Sequence, residues 1–194
     1  LENWDKSPTI NDNCPEIKTR EAFLQEFESE LKKNQNKNIV VATHHPLYTN
    51  GVHGGTYPIE RHLYPSQKTI PLPILGSLAA LIRTTAGVSI QDAQNERYKS
   101  MVDRLSTIAH EYENVIFVSG HEHNLQYNIF EGVHQIVSGS GSKLSYANLR
   151  NTGQFAYPGQ GMAVYDIFKD GSTFVRFYNL KDGKLNEIYR KEVF

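Results

Sequence analysis

The sequence has 194 residues, 39% of them hydrophobic and 21% charged, which fits one globular domain with a substantial core. Its 20 basic and 21 acidic residues nearly cancel, so the formal charge of -1 gives no support to a nucleic-acid-binding surface or an acidic tail. The single cysteine, Cys14, excludes a disulfide within the chain. Because the sequence begins at Leu1 without a start signal, we expect it to be part of a longer one.

The first elements in chain order are a loop, a helix and a short strand. Residues 1–16 are polar and rich in turn residues, which is typical of a loop. Apolar positions recur at helical spacing from about residue 19 to residue 33, which predicts a helix with Thr19 as its N-cap. Residues 39–42 are continuously apolar, which predicts a strand buried on both faces.

Residues 49–97 show no regular period, and we expect one long excursion between regular elements. Its segment 70–82 is apolar and is interrupted by Pro71, Pro73 and Gly76. Thirteen residues are too few to span a bilayer, which takes roughly 20. We expect a loop packed on its own domain; the alternative is a lid, or a surface for a membrane or partner.

A second helix and several strands make up the rest of the chain. The helix is predicted from about residue 92, with Asp92 as a candidate N-cap, and it leads into an apolar strand at 115–118. Hairpin turns are predicted at 169–171 and 181–183, where the sequence is Lys-Asp-Gly. The later predicted strands are residues 125–130, 135–137, 162–168, 173–178 and 185–189.

Two of the predicted strands run directly into histidines. The strand at 39–42 is followed by Thr-His-His-Pro at 43–46, and the strand at 115–118 by Ser-Gly-His-Glu-His-Asn at 119–124. Open α/β sheets bind ligands at the carboxyl ends of their strands. Imidazoles held there suit divalent transition metals, so the two segments together predict a metal site.

Within these segments the candidate metal ligands are His44, His121 and His123. In a turn just past a strand, His121 and His123 can splay, so that each serves a different ion of a pair. Gly120 is expected to let the backbone approach the site closely, because it has no Cβ. His45 is expected to point away from the site.

The same segments resemble calcineurin-like metallophosphoesterases, and most closely the purple acid phosphatases of the small, tartrate-resistant type. The matching motifs are the His-x-Pro segment within 43–48, Gly-His-x-His-Asn-Leu-Gln-Tyr at 120–127, Ser-Gly-x-Gly at 138–141 and the Gly-x-Ala-x-Tyr strand at 161–165. The resemblance covers roughly residues 20–56 and 98–194, and it leaves 57–97 as an insertion.

The resemblance implies an α/β fold: a four-layer αββα sandwich, of which residues 1–194 form the C-terminal part of one domain. It implies two divalent or trivalent metal ions, iron with iron, zinc or manganese. His44 and His121 would bind the second metal and His123 the first. His53, nine residues after His44, would contact the phosphate or protonate the leaving group. The family also favours an extracytoplasmic location (secreted, periplasmic or envelope-associated).

The sequence departs from the family in its remaining ligands, which come from an Asp-x-His, a Gly-Asp and a Gly-Asn-His motif that do not occur here. No aspartate of the chain has a strand-end setting like that of the histidines. Two ions ~3.5–4 Å apart need a shared anionic ligand, which three imidazoles cannot supply. We therefore expect a missing N-terminal half of the same domain to supply it, and the chain alone to be inactive.

The expected function of the complete protein is hydrolysis of phosphate monoesters, with the ester as the binding partner. A phosphodiesterase or nuclease on the same scaffold is one alternative, since a fold does not fix a substrate, but the near-neutral charge predicts no nucleic-acid partner. The other alternative is a non-catalytic binding module of a larger envelope-associated protein, with residues 70–82 contacting a membrane or a partner.

Overall fold

The computed structural model describes residues 17–65, 70–85, 87, 89–150 and 152–194. The predicted N-terminal loop at 1–16, including Cys14, lies outside these ranges. The helices are α1 (Arg20–Lys33), α2 (Ile59–Leu63), α3 (Pro73–Thr85) and α4 (Glu96–His110), with a 3₁₀ turn at Val52–Gly54. The strands are β1 (Ile39–Thr43), β2 (Val115–Ser119), β3 (Leu125–Phe130), β4 (Val133–Ser138), β5 (Gly153–Tyr157), β6 (Gly161–Ile167), β7 (Thr173–Lys181) and β8 (Lys184–Glu192).

The strands form a five-stranded mixed sheet and a three-stranded antiparallel sheet. The larger sheet has the order β1-β2-β4-β3-β5, in which β1 and β4 run parallel to β2. The smaller sheet has the order β6-β7-β8. Thr43 at the end of β1 lies opposite Ser119 at the end of β2, so both histidine segments leave the sheet at the same edge.

A separate hydrophobic core packs on each face of the larger sheet. Val115 and Phe117 of β2 pack against apolar side chains of α1 and α4, including Leu31 and Leu105. Ile116, between them on the opposite face, belongs to a second core that includes these residues of both sheets: Leu125, Tyr127, Ile136, Val175 and Phe177. The layers are therefore helices, sheet and sheet. The described ranges contain no helical layer on the outer face of the smaller sheet, so the fourth layer stays a prediction.

The helix caps agree with the sequence for α1 and differ for α4. Thr19 caps α1, its hydroxyl accepting from the Ala22 amide at 3.1 Å. The N-cap of α4 is Asn95, whose side chain accepts from the Arg97 amide, so the assignment of Asp92 as this cap is wrong. The Asp92 carboxylate is instead occupied by two other side chains, described below.

The strand predictions hold for β2 and for β3, whose observed range is the predicted 125–130, and in part for the others. β1 is an edge strand of the described sheet, and Val40 is 43% exposed, so the expectation of burial on both faces is wrong there. β5 carries no periodic signal and is missed by the pattern. Asp182 and Gly183 have φ of 52° and 72°, the left-handed backbone that a two-residue hairpin turn requires, as predicted.

Residues 70–82 lie largely in the helix α3, which corrects the expectation of an irregular segment. Pro73 is its first residue, where a missing amide hydrogen costs nothing. Gly76 is buried where a Cβ would overlap the His62 carbonyl, so it allows α2 to cross α3 closely. No described helix has both the length and the apolar character needed to cross a bilayer.

Candidate metal centre

Three imidazoles converge beyond the carboxyl ends of β1 and β2. His44 and His45 follow β1, and His121 follows β2. The ring centroid of His121 lies 5.3 Å from that of His44 and 4.2 Å from that of His45. One potential ligand nitrogen from each ring lies within 4.8 Å of the other two. The parallel pairing of β1 and β2 thus brings the predicted residues His44 and His121 together.

His45 belongs to this group, so the expectation that it points away is wrong. Its ring lies beside that of His121 and also meets the edge of Tyr98, with centroids 5.7 Å apart. Tyr98 in turn donates a hydrogen bond to the Pro46 carbonyl, next to His45 in the chain. The packing of α4 against this loop therefore turns the His45 ring inward.

The chain reverses at His121 through an uncommon backbone conformation. His121 has φ of 62°, in the left-handed region that costs a non-glycine residue of order 1–3 kcal/mol. Its Nε2 donates to the Gln91 carbonyl at 3.2 Å. A carbonyl can only accept, so this bond places the proton on Nε2 and leaves the lone pair of Nδ1 for a metal ion.

Partial burial keeps two imidazoles of the group, those of His45 and His121, neutral. Loss of solvent, with the neighbouring His44, lowers the pKa of His45 to about 4. Loss of solvent, with the nearby His53 and His45, lowers the pKa of His121 to about 4. Neutral imidazole is the form that binds metal ions, so the environment favours ligation near neutral pH.

Buried amide side chains hold the loop that follows β1. Gln135 of β4 accepts from the Leu47 amide at 2.9 Å. Gln126 of β3 accepts from the Asn50 amide at 2.7 Å. Both glutamines are fully buried, so these bonds are shielded from water. The loop carrying His44 and His45 is thereby fixed to the sheet.

Glu122 joins the two histidine segments. It is fully buried, and its Oε1 accepts from the Thr49 hydroxyl and from the His53 amide, both at 2.9 Å. Burial raises the pKa of Glu122 despite these hydrogen bonds. A Cβ on Gly51 would overlap the Glu122 carboxyl group, so only glycine fits where the loop crosses it. No sequence pattern had assigned a role to Glu122.

His53 lies against the group on its other side. Its ring centroid is 4.2 Å from that of His121, although His53 is not one of the three residues whose nitrogens converge. Its Nδ1 lies 2.8 Å from Oδ1 of Asp92, which is 1% exposed. Arg83 binds the same carboxylate through Nε and Nη2, at 2.7 and 2.9 Å. No sequence signal linked Asp92 or Arg83 to the site, because both lie in the insertion and Asp92 has the setting of a helix cap.

The segment 91–94 of the insertion closes onto both histidines. Besides the Gln91 carbonyl on His121, the Ala93 amide donates to the His53 carbonyl at 2.9 Å. The Gln94 side chain donates to the Gly54 carbonyl at 3.1 Å. The insertion therefore forms part of the site's wall.

His123 is placed apart from the three converging rings. It is half-buried, and its Nδ1 is a buried nitrogen without a hydrogen-bond partner among the described residues. Such an atom retains its capacity to bind a ligand. Metal ligation by His44, His121 and His123 stays a prediction, as does the phosphate-contacting role of His53.

Close packing near the site requires glycine at Gly139 and not, as expected, at Gly120. A Cβ on Gly120 would meet no described atom within 4 Å, so no close approach of this part of the chain explains that residue. A Cβ on Gly139 would overlap the Glu122 carbonyl. The tight crossing is therefore between the turn after β4 and the turn after β2.

The donor set fits a transition-metal cation. Imidazoles in their neutral form are ligands that Zn²⁺ and related ions accept in proteins, and three of them converge here. Within the residues that the structure describes, no carboxylate belongs to the converging group. The chain thus offers neutral ligands for a metal but no bridging anion.

Comparison with known proteins relates the chain to others by structure. No protein-family model and no curated protein matches the sequence. Among solved structures, it is similar to GAP50, the anchor in the inner membrane complex of Plasmodium, with a TM-score of 0.51 and 17% identity over 87% of this chain and 41% of that one. It is also similar to Vps29 from Entamoeba histolytica complexed with Zn²⁺, with a TM-score of 0.32 and 19% identity over 47% of each chain.

The chain therefore spans about two fifths of the length of the GAP50 structure. At such identity the likeness is one of fold alone. The mixed five-stranded sheet with a small antiparallel sheet packed on it resembles, in part, the calcineurin-like metallophosphoesterase fold.

Proposed function

We propose that this chain supplies imidazole ligands and a proton donor to a metal-dependent phosphomonoesterase related to purple acid phosphatases. The observation that carries the proposal is the convergence of His44, His45 and His121 at the carboxyl edge of β1 and β2. The edge is where sheets of this kind bind their ligands, and the fold agrees with a phosphoesterase.

The side chains have separate roles in this proposal. His44 and His121 hold one metal ion, with His45 as a further candidate, and His123 holds the other. Two metal ions, iron with iron, zinc or manganese, would neutralise phosphoryl charge and activate water near neutral pH. His53 donates a proton to the leaving-group oxygen, because its ring lies beside the group while its Nδ1 is already bound to Asp92. The remaining anionic ligands come from a further part of the same domain.

Zn²⁺ titration of the metal-free chain, followed by calorimetry, tests the metal site. His44→Ala and His121→Ala should each weaken Zn²⁺ binding by at least about tenfold, since each removes a ligand. His45→Ala and His123→Ala define the rest of the ligand set. His110→Ala, an exposed residue at the end of α4, is the matched control and should bind Zn²⁺ like the unaltered chain. Unchanged binding by His121→Ala would overturn the proposal.

A non-catalytic binding module is the second candidate, and the surface of α3 favours it. Five of its side chains are apolar and between 48% and 82% exposed: Ile74, Leu75, Leu78, Leu81 and Ile82. Exposed apolar patches often mark contacts with proteins or membranes. A full-length, metal-loaded protein that hydrolyses no phosphate ester would support this function over the enzymatic one.

A further inference from the structure

We infer that Asp92, held by Arg83, is a positioning residue for His53: it keeps a hydrogen on Nδ1, so that a second proton taken up by the ring lies on Nε2 and passes from there to the leaving-group oxygen. The inference rests on the proposed function only for the use of the Nε2 proton in hydrolysis. The position of the hydrogen on Nδ1 follows from the local geometry. It assigns part of the catalytic apparatus to the insertion at 57–97.

The hydrogen bonds around Asp92 determine where the proton lies. An ionised carboxylate only accepts, and Oδ1 of Asp92 is 2.8 Å from Nδ1 of His53, so this nitrogen must carry the hydrogen. Arg83 supplies only donors and cannot reverse the arrangement. Burial by itself raises the pKa of Asp92, but the hydrogen bonds from Arg83 and His53 outweigh it and keep the pKa below its usual value. Asp92 is therefore ionised at neutral pH.

The position of the ring is fixed by its backbone as well as by its side chain. The His53 amide donates to Glu122, and the His53 carbonyl accepts from Ala93, each at 2.9 Å. With Nδ1 bound to Asp92, the residue is held at three points. A ring held in this way loses little freedom when a substrate binds, which is the condition for efficient proton transfer.

Arg83 connects this arrangement to α3. Its guanidinium carbon also lies 5.7 Å from the centre of the Tyr57 ring, at the start of the insertion. Arg83 and Tyr57 therefore both lie in the insertion at 57–97. A purely structural role for the Arg83–Asp92 pair would be to tie α3 to the site, and it would leave the His53 tautomer free.

Long-range ¹H–¹⁵N spectra of histidine-labelled protein measure the tautomer directly. In the unaltered, metal-free chain we expect His53 to carry its hydrogen on Nδ1. In Asp92→Asn, the amide oxygen should turn to Arg83 and the amide nitrogen to His53, so that Nδ1 accepts and the hydrogen moves to Nε2. An amide that replaces the orienting carboxylate gives the wrong tautomer in this way in serine proteases.

The matched control is Asp166→Asn. Asp166 binds Arg176 through two hydrogen bonds, of 2.6 and 2.9 Å, on the smaller sheet. The control removes a comparable pair and should leave the His53 spectrum unchanged. A hydrogen on Nε2 in the unaltered chain, or the same tautomer in both the chain and Asp92→Asn, would overturn the inference. The tautomer of the unaltered chain is measured without any variant. The inference can therefore be tested even if Asp92→Asn does not fold.

Kinetics of the metal-loaded full-length protein provide the second measurement. Asp92→Asn should lower kcat for alkyl phosphates by ~10²-fold, the low end for general acid catalysis, with little change in KM. Activated aryl phosphates should be affected less, because their leaving groups need no proton. Equal losses for both ester types would overturn the positioning role. Absence of both Zn²⁺ binding and hydrolysis in the unaltered protein would overturn the proposed function instead, while the tautomer result would stand.

Discussion

At the scale of single residues, the site places two half-buried imidazoles, those of His45 and His121, beside each other. Each neutral ring is tolerated, but a charge on one ring would meet both a shortage of solvent and its neighbours. His45 and His121 are the two rings whose pKa is lowered to about 4 by this environment. The arrangement has a consequence for the stability of the metal-free protein.

We predict that the metal-free chain loses stability as the pH falls from about 6.5 to 4. In the unfolded chain the histidines titrate near 6.5, whereas in the folded chain His45 and His121 titrate near 4, so protons bind preferentially to the unfolded state within this window. The contribution of each neutral ring to the free energy of unfolding is full above pH 6.5, and it is lost as the pH falls towards 4.

Thermal unfolding at pH 7 and pH 4.5, with a chelator present, measures this effect. His121→Gln, which removes one of the two groups, should show a smaller fall in Tm between the two pH values. The exposed His110→Gln should behave like the unaltered chain. An identical fall in His121→Gln and in the unaltered chain would contradict the pKa shift on which the prediction depends.

At the scale of elements, the insertion is built around the contact of α2 with α3. The helices cross at Gly76, and α3 presents Ala80 as its other buried residue, so its inner face consists of small side chains. Its large apolar side chains lie on the outer face and are exposed. The crossing, rather than burial of large residues, holds α3 in place, and Arg83 near its end then reaches Asp92.

We predict that Gly76→Ala destabilises the insertion although alanine favours helices. Helix propensity alone would stabilise the variant by about 1 kcal/mol. The added Cβ would overlap the backbone carbonyl of His62, which cannot turn away as a side chain could, so the helices must separate. Ser77→Ala, at an exposed neighbouring position, is the control and should be neutral or slightly stabilising.

Limited proteolysis and urea unfolding distinguish the two effects. Gly76→Ala should be cleaved faster within residues 57–85 and should show a lower urea midpoint than Ser77→Ala. A higher midpoint in Gly76→Ala would show that helix propensity outweighs the contact between α2 and α3.

At the scale of the whole molecule, two cores stack around the larger sheet, and the site lies at one end of it. The polar interior of the site is held by buried glutamines, while the apolar cores on either face keep the strands in register. The converging imidazoles carry no negative charge that could offset two metal ions. The lack of an anionic ligand limits the activity that we expect of the chain by itself.

We predict that the 194-residue chain alone is a poor phosphatase. Hydrolysis of p-nitrophenyl phosphate with added iron, zinc or manganese should remain below about 1 per second, the lower end of the usual range for enzymes. The reason is the lack of a bridging anion between two closely spaced ions. Turnover in the ordinary range of about 1–1000 per second would show that the described ligand set suffices.

Local sequence determined the elements whose signals are periodic or stereochemical. The spacing of apolar residues and Thr19 defined α1, and the turn at Asp182–Gly183 followed from a sequence that adopts left-handed backbone easily. The histidines after β1 and β2 could be identified as a pair because parallel neighbouring strands end at one edge. These features depend on short stretches of chain, which is why they could be predicted.

Tertiary structure decided the features that join distant segments. β5 forms because β3 offers it a partner, and α3 is helical and exposed because its small residues meet α2. Asp92 has the sequence setting of a helix cap, yet Arg83 and His53 approach its carboxylate only in the folded chain. Sequence alone named His44 and His121 of the converging group. The partial burial of His121, the inward turn of His45 and the contacts of the insertion required the fold, because solvent exclusion and hydrogen bonding depend on neighbours that lie far apart in the chain.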